Sequence, residues 1–373
     1  MIKKLLSTLC CLWIFATCSI AQIDARQYFT LAKGKYDIQD YTAALEYINQ
    51  AIEGDSSFLN AFLLRAQIHD AKAKYSAGIK DYTYIIDQIG PNTPQSFSYL
   101  YQRAILHRKR KDLVSAEKDI NQVIRLNPNY ADGFAEKGYI NFLQRKPKTE
   151  AIASLNKAIN INPNNSDFYK RRAYLYATTI DLRLGEPDLG AAIIDINKAI
   201  ALSPRDNELY NIRRNYYLKS NQDDLALNDL TRSISWGEYD EKQLFERGML
   251  FMKKGNYDLA VKDFNAAIKY KDETGQTWRY LGLAFHNKEN YFKAIELFTT
   301  ALDRFEKEMK KLDPKDDRDR LFRVKNLYGL TYIERGMAHI ELNHLQEACY
   351  DFRQALDFSP EKANNYLNQY CEP

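Results

Sequence analysis

The sequence predicts an all-α fold built from one helix pair repeated nine times. Three observations carry this reading. A pair of small residues seven apart recurs on a base period of 34 residues. Apolar positions within each recurrence fall three, four and seven residues apart, which is one face of an α-helix. Gly and Pro number only 15 and 10 among 373 residues, which favours helices joined by short turns over strands.

The first 21 residues stand apart. Lys3 and Lys4 precede an apolar run from Leu5 to Ile20, and Ser19 and Ala21 are small residues placed for a signal peptidase. This reads as a leader cleaved after Ala21, and the run is short for a membrane span. Lipidation of Cys18 and a retained anchor are the alternatives, and only lipidation would make a membrane a partner of the mature chain. The leader's style suggests export to the periplasm or cell surface of a bacterium with two membranes. Without the leader the chain has 51 basic and 49 acidic residues, a charge of +2. That is no footprint for nucleic acid, which needs a concentrated basic face.

The repeat then fills residues 22–360. Its small-residue anchors are Ala44/Ala51, Gly78/Ile85, Ala116/Val123, Ala151/Ala158, Ala192/Ala199, Ala226/Ser233, Ala260/Ala267, Ala294/Ala301 and Ala348/Ala355. The longer intervals place insertions near 178–190 and 302–328. In the eighth unit, Trp278, Leu281, Gly282 and Phe285 mark one helix, and Ala294, Ile295, Phe298, Ala301 and Leu302 mark the next. Lys254 to Tyr257 is a turn between helices, and Pro128, Pro163, Pro204 and Pro360 end units because Pro cannot continue a helix. Small residues belong where two helices cross closely. Residues 361–373 read as a polar capping helix and tail.

This pattern resembles the tetratricopeptide repeat (TPR). The matching residues are the first-helix Ala66, Ala104, Gly138, Ala173, Gly248, Gly282 and Gly336, the two small second-helix positions, and the closing prolines. Arg214 departs from it in the sixth unit. The resemblance implies a right-handed superhelical solenoid of about nine helix-turn-helix units with a C-terminal cap. It also implies a non-catalytic scaffold that binds a protein or peptide on a concave face lined by first helices. The alternative is a structural subunit of an outer-membrane or secretion assembly, anchored through Cys18.

Arg precedes the small first-helix residue, and Asp follows three residues after the first small residue of the second helix. The two travel together as Arg65/Asp81, Arg103/Asp119, Arg172/Asp195, Arg213/Asp229, Arg247/Asp263 and Arg335/Asp351. The first and eighth units have neither, with Leu31 and Tyr47 or Leu281 and Leu297 in the two slots. Co-occurrence argues for an ion pair inside each unit, since an Arg row facing an anionic ligand would need no matched Asp.

The residues offer little chemistry. No nucleophile elbow, P-loop or dinucleotide turn occurs. His69, His107 and His339 share one repeat slot and read as packing residues, and His344 and Cys349 lack the partners of a zinc site. No cofactor, metal, catalytic residue or small-molecule substrate is inferred. Cys349 and Cys371 are the two cysteines left after the leader, and the sequence leaves open whether they pair or stay as thiols.

Projecting the first helices inward gives two surfaces. Early units offer Arg26, Lys33, Tyr36, Gln67, Asp70, Tyr101 and Arg108. Late units offer Phe245, Met249, Met252, Leu283, Ile333, Met337 and Ile340, an apolar groove suited to a helix or extended segment. The insertion at 302–328 is the internal competitor for that groove.

Overall fold

Asp and Asn start many of the helices, because their side chains accept a hydrogen bond from an unpaired N–H of the first turn. In the computed structural model, which describes residues 24–178, 187–237, 239–270 and 274–371, Asp40, Asp112 and Asn290 each hold the N–H three residues on. Asp24 and Asp240 form full capping boxes, with Gln27 and Gln243 reaching back to the cap backbone. The segment 1–21 read as a leader, Cys18 included, lies outside the described residues, as do 179–186 of the first insertion.

All regular structure among the described residues is helical. A first compact unit runs to Leu202 and a second begins at Ser203. The first holds five helix pairs: α1 (Ala25–Asp37) with α2 (Tyr41–Gly54), α3 (Leu59–Ala71) with α4 (Tyr75–Ile89), α5 (Phe97–Lys109) with α6 (Leu113–Leu126), α7 (Ala131–Leu143) with α8 (Lys148–Ile161), and α9 (Ser166–Ala177) with α10 (Leu189–Leu202). The second holds four: α11 (Asn207–Lys219) with α12 (Asp223–Ser235), α13 (Glu241–Lys253) with α14 (Tyr257–Tyr270), α15 (Gly275–Asn287) with α16 (Tyr291–Lys311), and α17 (Arg318–Glu341) with α18 (Leu345–Ala355). The helix α19 (Pro360–Tyr370) follows. Within each unit, every pair packs on the next.

One turn recurs inside eight of the pairs. Gln39, Ala73, Lys111 and Arg145 in the first unit, and Asn221, Gly255, Glu289 and Asn343 in the second, have φ between 54° and 73°. Each ends a first helix in left-handed backbone. In the first pair Gln39 N donates to Tyr36 O at 2.9 Å, and Asp40 N donates to Lys35 O at 2.9 Å. These are the two bonds that satisfy the last carbonyls of a helix and reverse the chain.

The second helix then returns close to the first. A Cβ on Gly248, Gly282 or Gly336 would lie 2.6, 2.7 or 2.5 Å from the ring of Phe264, Phe298 or Phe352. The missing side chain makes room for a fully buried ring, whose transfer from water contributes about 2–3 kcal/mol. Cores are local: Ala260, Phe264, Leu281, Ala284 and Leu297 join two neighbouring pairs of the second unit.

The insertion at 302–328 lengthens α16 and α17 to 21 and 24 residues, against 13 in α15. Met309, Leu312, Leu327 and Tyr328 pack around Ala301, Phe305 and Val324, with Trp278 joining from α15. At the end of the chain Ala363 and Leu367 of α19 are buried, and Tyr366 stacks on Phe352 with centroids 5.2 Å apart. A disulfide between Cys349 and Cys371 ties α19 to α18.

Candidate functional site

Each repeated Arg meets its Asp through two parallel hydrogen bonds. Nε and Nη2 donate to the two carboxylate oxygens at 3.0 and 2.7 Å in Arg65–Asp81, and at 2.8 Å in both bonds of Arg103–Asp119. The distances are 2.7 and 2.7 Å in Arg172–Asp195, 2.9 and 2.6 Å in Arg213–Asp229, 2.7 and 2.7 Å in Arg247–Asp263, and 2.9 and 2.7 Å in Arg335–Asp351. All six Asp are buried. The fork is the geometry in which guanidinium and carboxylate bind most strongly.

The third arm of the guanidinium does more. Nη1 donates to Asn49 from Arg65, Thr83 from Arg103, Asn156 from Arg172, and Thr299 from Arg335, at 3.1, 3.0, 2.6 and 2.9 Å. Each acceptor lies on the second helix of the preceding pair, so one Arg fixes its own pair and the stacking of two pairs. The sequence carries a signal for this: the position two after the Asp slot is Asn or Thr in the first eight units, from Asn49 to Thr299.

First helices are also linked to one another by charge. Arg108 on α5 bonds Glu136 on α7, and Arg171 on α9 reaches the same carboxylate at 3.6 Å. In the second unit Arg214 lies 3.3 Å from Glu246, and Arg279 forms a two-bond fork with Glu334. Burial pushes the Glu334 carboxyl up, against the pull of the Arg279 charge. Arg108 is thus occupied in packing.

The late apolar residues do not form one open strip. Phe245, Met249 and Met252 pack together against the cluster around Phe264, with the Phe245 ring 5.7 Å from Phe264 and 5.4 Å from Tyr280. Leu283 packs against Ala294, Phe298 and Ala338. Met337 and Ile340 pack against Ala348, Phe352 and Leu367. Ile333 is 5% exposed, in the core beneath α19. The insertion forms a cluster separate from these.

Open polar space lies elsewhere on the first-helix faces. In the first unit a cavity of about 430 Å³ between α1, α3 and α5 is lined by Tyr36, Gln67, Asp70, Tyr82, Tyr99 and Gln102, with Leu63, Ala71 and Leu106 beside them. In the second a cavity of about 490 Å³ between α11 and α13 is lined mainly by Asn207, Asn211, Arg214, Tyr239, Gln243 and Glu246. Both sites are rich in groups that orient a ligand by hydrogen bonds.

The histidines are half-buried in the helix pairs. Burial pulls His69, His107, His286 and His339 below the ordinary imidazole range. His107 Nδ1 lies 3.1 Å from Asp112, and the rings of His339 and His344 are 5.7 Å apart. Among the described residues, no three His, Cys, Asp or Glu side chains converge on a metal position.

The tetratricopeptide repeat family profile matches residues 245–308. No curated protein matches the chain. Among solved structures, the chain is similar to a tetratricopeptide repeat protein from Parabacteroides merdae at 18% identity, over 70% of this chain and 98% of that one, with a TM-score of 0.47. It is similar to YrrB, described as a TPR protein with an unusual peptide-binding site, at 21% identity, over 50% and 91% of the chains, TM-score 0.42. It is also similar to a thermophilic TPR protein of Thermus thermophilus, at 19% identity, over 52% and 99% of the chains, TM-score 0.40.

Proposed function

We propose that this tetratricopeptide-repeat chain is a non-catalytic scaffold that holds a protein or peptide partner on the first-helix faces of its units, after export to the cell envelope. The observation that carries the reading is the division of labour among polar side chains. The repeated Arg and Asp are consumed in packing. The cavity between α1, α3 and α5, by contrast, is lined by Tyr36, Gln67 and Gln102, on rigid helices that hold a binding group in place. The apolar residues Phe245, Met249, Met252, Leu283, Met337 and Ile340 are half-buried in separate packing clusters and line neither cavity. Export is supported by the leader at 1–21 and by the Cys349–Cys371 disulfide, since disulfides persist in oxidising compartments.

Capture from envelope extract tests the reading. The bait is residues 22–373, beside a variant carrying Tyr36→Ala, Gln67→Ala and Gln102→Ala and a control carrying Val114→Ser and Phe292→Ser on exposed second-helix positions. A partner lost only with the first variant is the expected result. Loss only with the control, or with both alike, overturns the assignment to the first-helix face.

A further inference from the structure

The cavity between α1, α3 and α5 has a chemistry of its own. Its floor is Tyr82, which reaches in from the second helix α4 and is 3% exposed. Among the described residues the Tyr82 hydroxyl has no hydrogen-bond partner. It is not among the fully buried polar atoms that lack a partner, so it keeps an edge open to the cavity that Tyr82 lines, where an entering group can bond it. Tyr36 and Tyr99 supply two more aromatic walls, and Gln67 and Gln102 supply amides. Asp70 is the one lining residue with a formal charge.

The cavity lining carries one formal charge, the Asp70 carboxylate, which faces neutral phenols and amides. Burial pushes the Tyr82 phenol up, and Asp70, Tyr36 and Tyr99 push it further. Burial also raises Tyr36, followed by Tyr41 and Asp70. Both phenols are neutral hydrogen-bonding groups at neutral pH, and Asp70 is the carboxylate they stand beside. Aromatic faces beside a carboxylate attract ammonium and guanidinium groups. Leu63, Ala71 and Leu106 offer apolar contact to the methylene stem of such a side chain.

A cation from the chain itself already uses this carboxylate. Lys109 on α5 places Nζ 2.6 and 2.8 Å from the two oxygens of Asp70, and both side chains are about one-third exposed. Lys109 is not part of the cavity lining. It holds Asp70 from the rim, so an entering cation shares or replaces it.

We propose that the first-helix cavity of the first unit is a receptor for a cationic side chain, lysine or arginine, of the protein or peptide partner. The assignment rests on the scaffold reading and names the residue type that anchors the partner. Tyr82 and Asp70 receive the charged head, and Tyr36 and Tyr99 flank it. Lys109 is the competitor that sets the affinity.

The test uses residues 22–373 labelled with 3-fluorotyrosine and followed by fluorine NMR. N-acetyl-arginine amide and N-acetyl-lysine amide are the probes, and N-acetyl-citrulline amide is the uncharged control. Tyr36→Phe, Tyr82→Phe and Tyr99→Phe variants assign the resonances. The expected result is saturable shifts at these three tyrosines with the cationic probes and none with citrulline. Asp70→Asn is expected to weaken binding about tenfold, through loss of a charge-assisted bond. Lys109→Met is expected to strengthen it about threefold, by releasing Asp70. Equal binding of citrulline amide, or changes of the same sign in Asp70→Asn and Lys109→Met, overturns the assignment. A partner that binds this face while the cationic probes give no shift also overturns it, and leaves the scaffold reading standing.

Discussion

Arg335 and Asp351 test whether the repeated pairs are packing. The Asp351 carboxylate is 1% exposed and takes two bonds from Arg335, whose third arm holds Thr299 of the preceding pair. Arg335→Met removes all three bonds and leaves a buried, unpaired carboxylate. That costs about 3–5 kcal/mol, because the remaining charge keeps its desolvation penalty without its partner. Asp351→Leu leaves the Arg335 head one-sixth exposed and able to reach water, so its cost is about 2–3 kcal/mol. The double variant removes both charges and is expected to fall within about 2 kcal/mol of the parent. The coupling between the two sites is then about 3 kcal/mol or more. Urea unfolding of residues 22–373, followed by tryptophan fluorescence, reads this directly. The tryptophans of that chain, Trp236 and Trp278, both lie in the second unit with the pair. Single variants that each cost less than about 1 kcal/mol, with additive effects, refute the reasoning.

Three further outcomes follow from the same packing. Gly248→Ala puts a methyl 2.6 Å from the buried ring of Phe264 and is expected to cost about 1–3 kcal/mol, whereas Gly34→Ala, with nothing within 4 Å, gains about 1 kcal/mol from helix propensity. Thermal melts of the two variants should move in opposite directions. Cys349→Ser with Cys371→Ser opens a loop with sequence separation 22 and removes about 3 kcal/mol of stabilisation from the end of the chain. Hydrogen exchange of α19 should accelerate while that of α13 stays unchanged; equal exchange in α19 contradicts this. His69, His107, His286 and His339 are held neutral by burial, with pKa values below the unfolded value of about 6.5. The unfolded chain therefore takes up protons first, so their stabilisation is whole above that value and declines as pH falls from it toward the lowered folded values. Urea midpoints that do not fall below pH 6.5, or histidine NMR titrations above it, contradict the assignment.

The fold was legible because every unit states it again. Small residues at Gly248 and Ala260 fix a crossing, Pro128 and Pro163 fix ends, and the period fixes the order of pairs. The Arg and Asp slots were legible as a co-occurrence within single units. The acceptor of the third Arg arm was also written, as Asn or Thr from Asn49 to Thr299, but its meaning depends on which neighbouring pair the Arg reaches. Links between first helices were hidden. Arg108 and Glu136 are 28 residues apart, Arg279 and Glu334 are 55 apart, and neither combination recurs in register.

The site was harder still, for a physical reason. A helical projection identifies the direction of a side chain but not what leans against it. Phe245 and Met249 point along the first-helix face, yet Tyr280 of the next pair and Phe264 of their own cover them. Tyr82 lies on a second helix, where projection assigns it to the core, yet it lines the cavity between α1, α3 and α5. The pairing of Cys349 with Cys371 required α19 to fold back on α18, which depends on Leu367 and Tyr366 finding Phe352.

Site-resolved photocrosslinking in intact cells separates the first-helix faces from the rest of the surface. Benzoylphenylalanine is placed at Gln67 and Gln102 on first helices, and at Val114 and Phe292 on exposed second-helix positions. The account predicts a discrete crosslinked partner from Gln67 and Gln102 and none from Val114 or Phe292. Crosslinks confined to Val114 and Phe292, or shared equally by all four positions, contradict a scaffold that works through its first-helix faces.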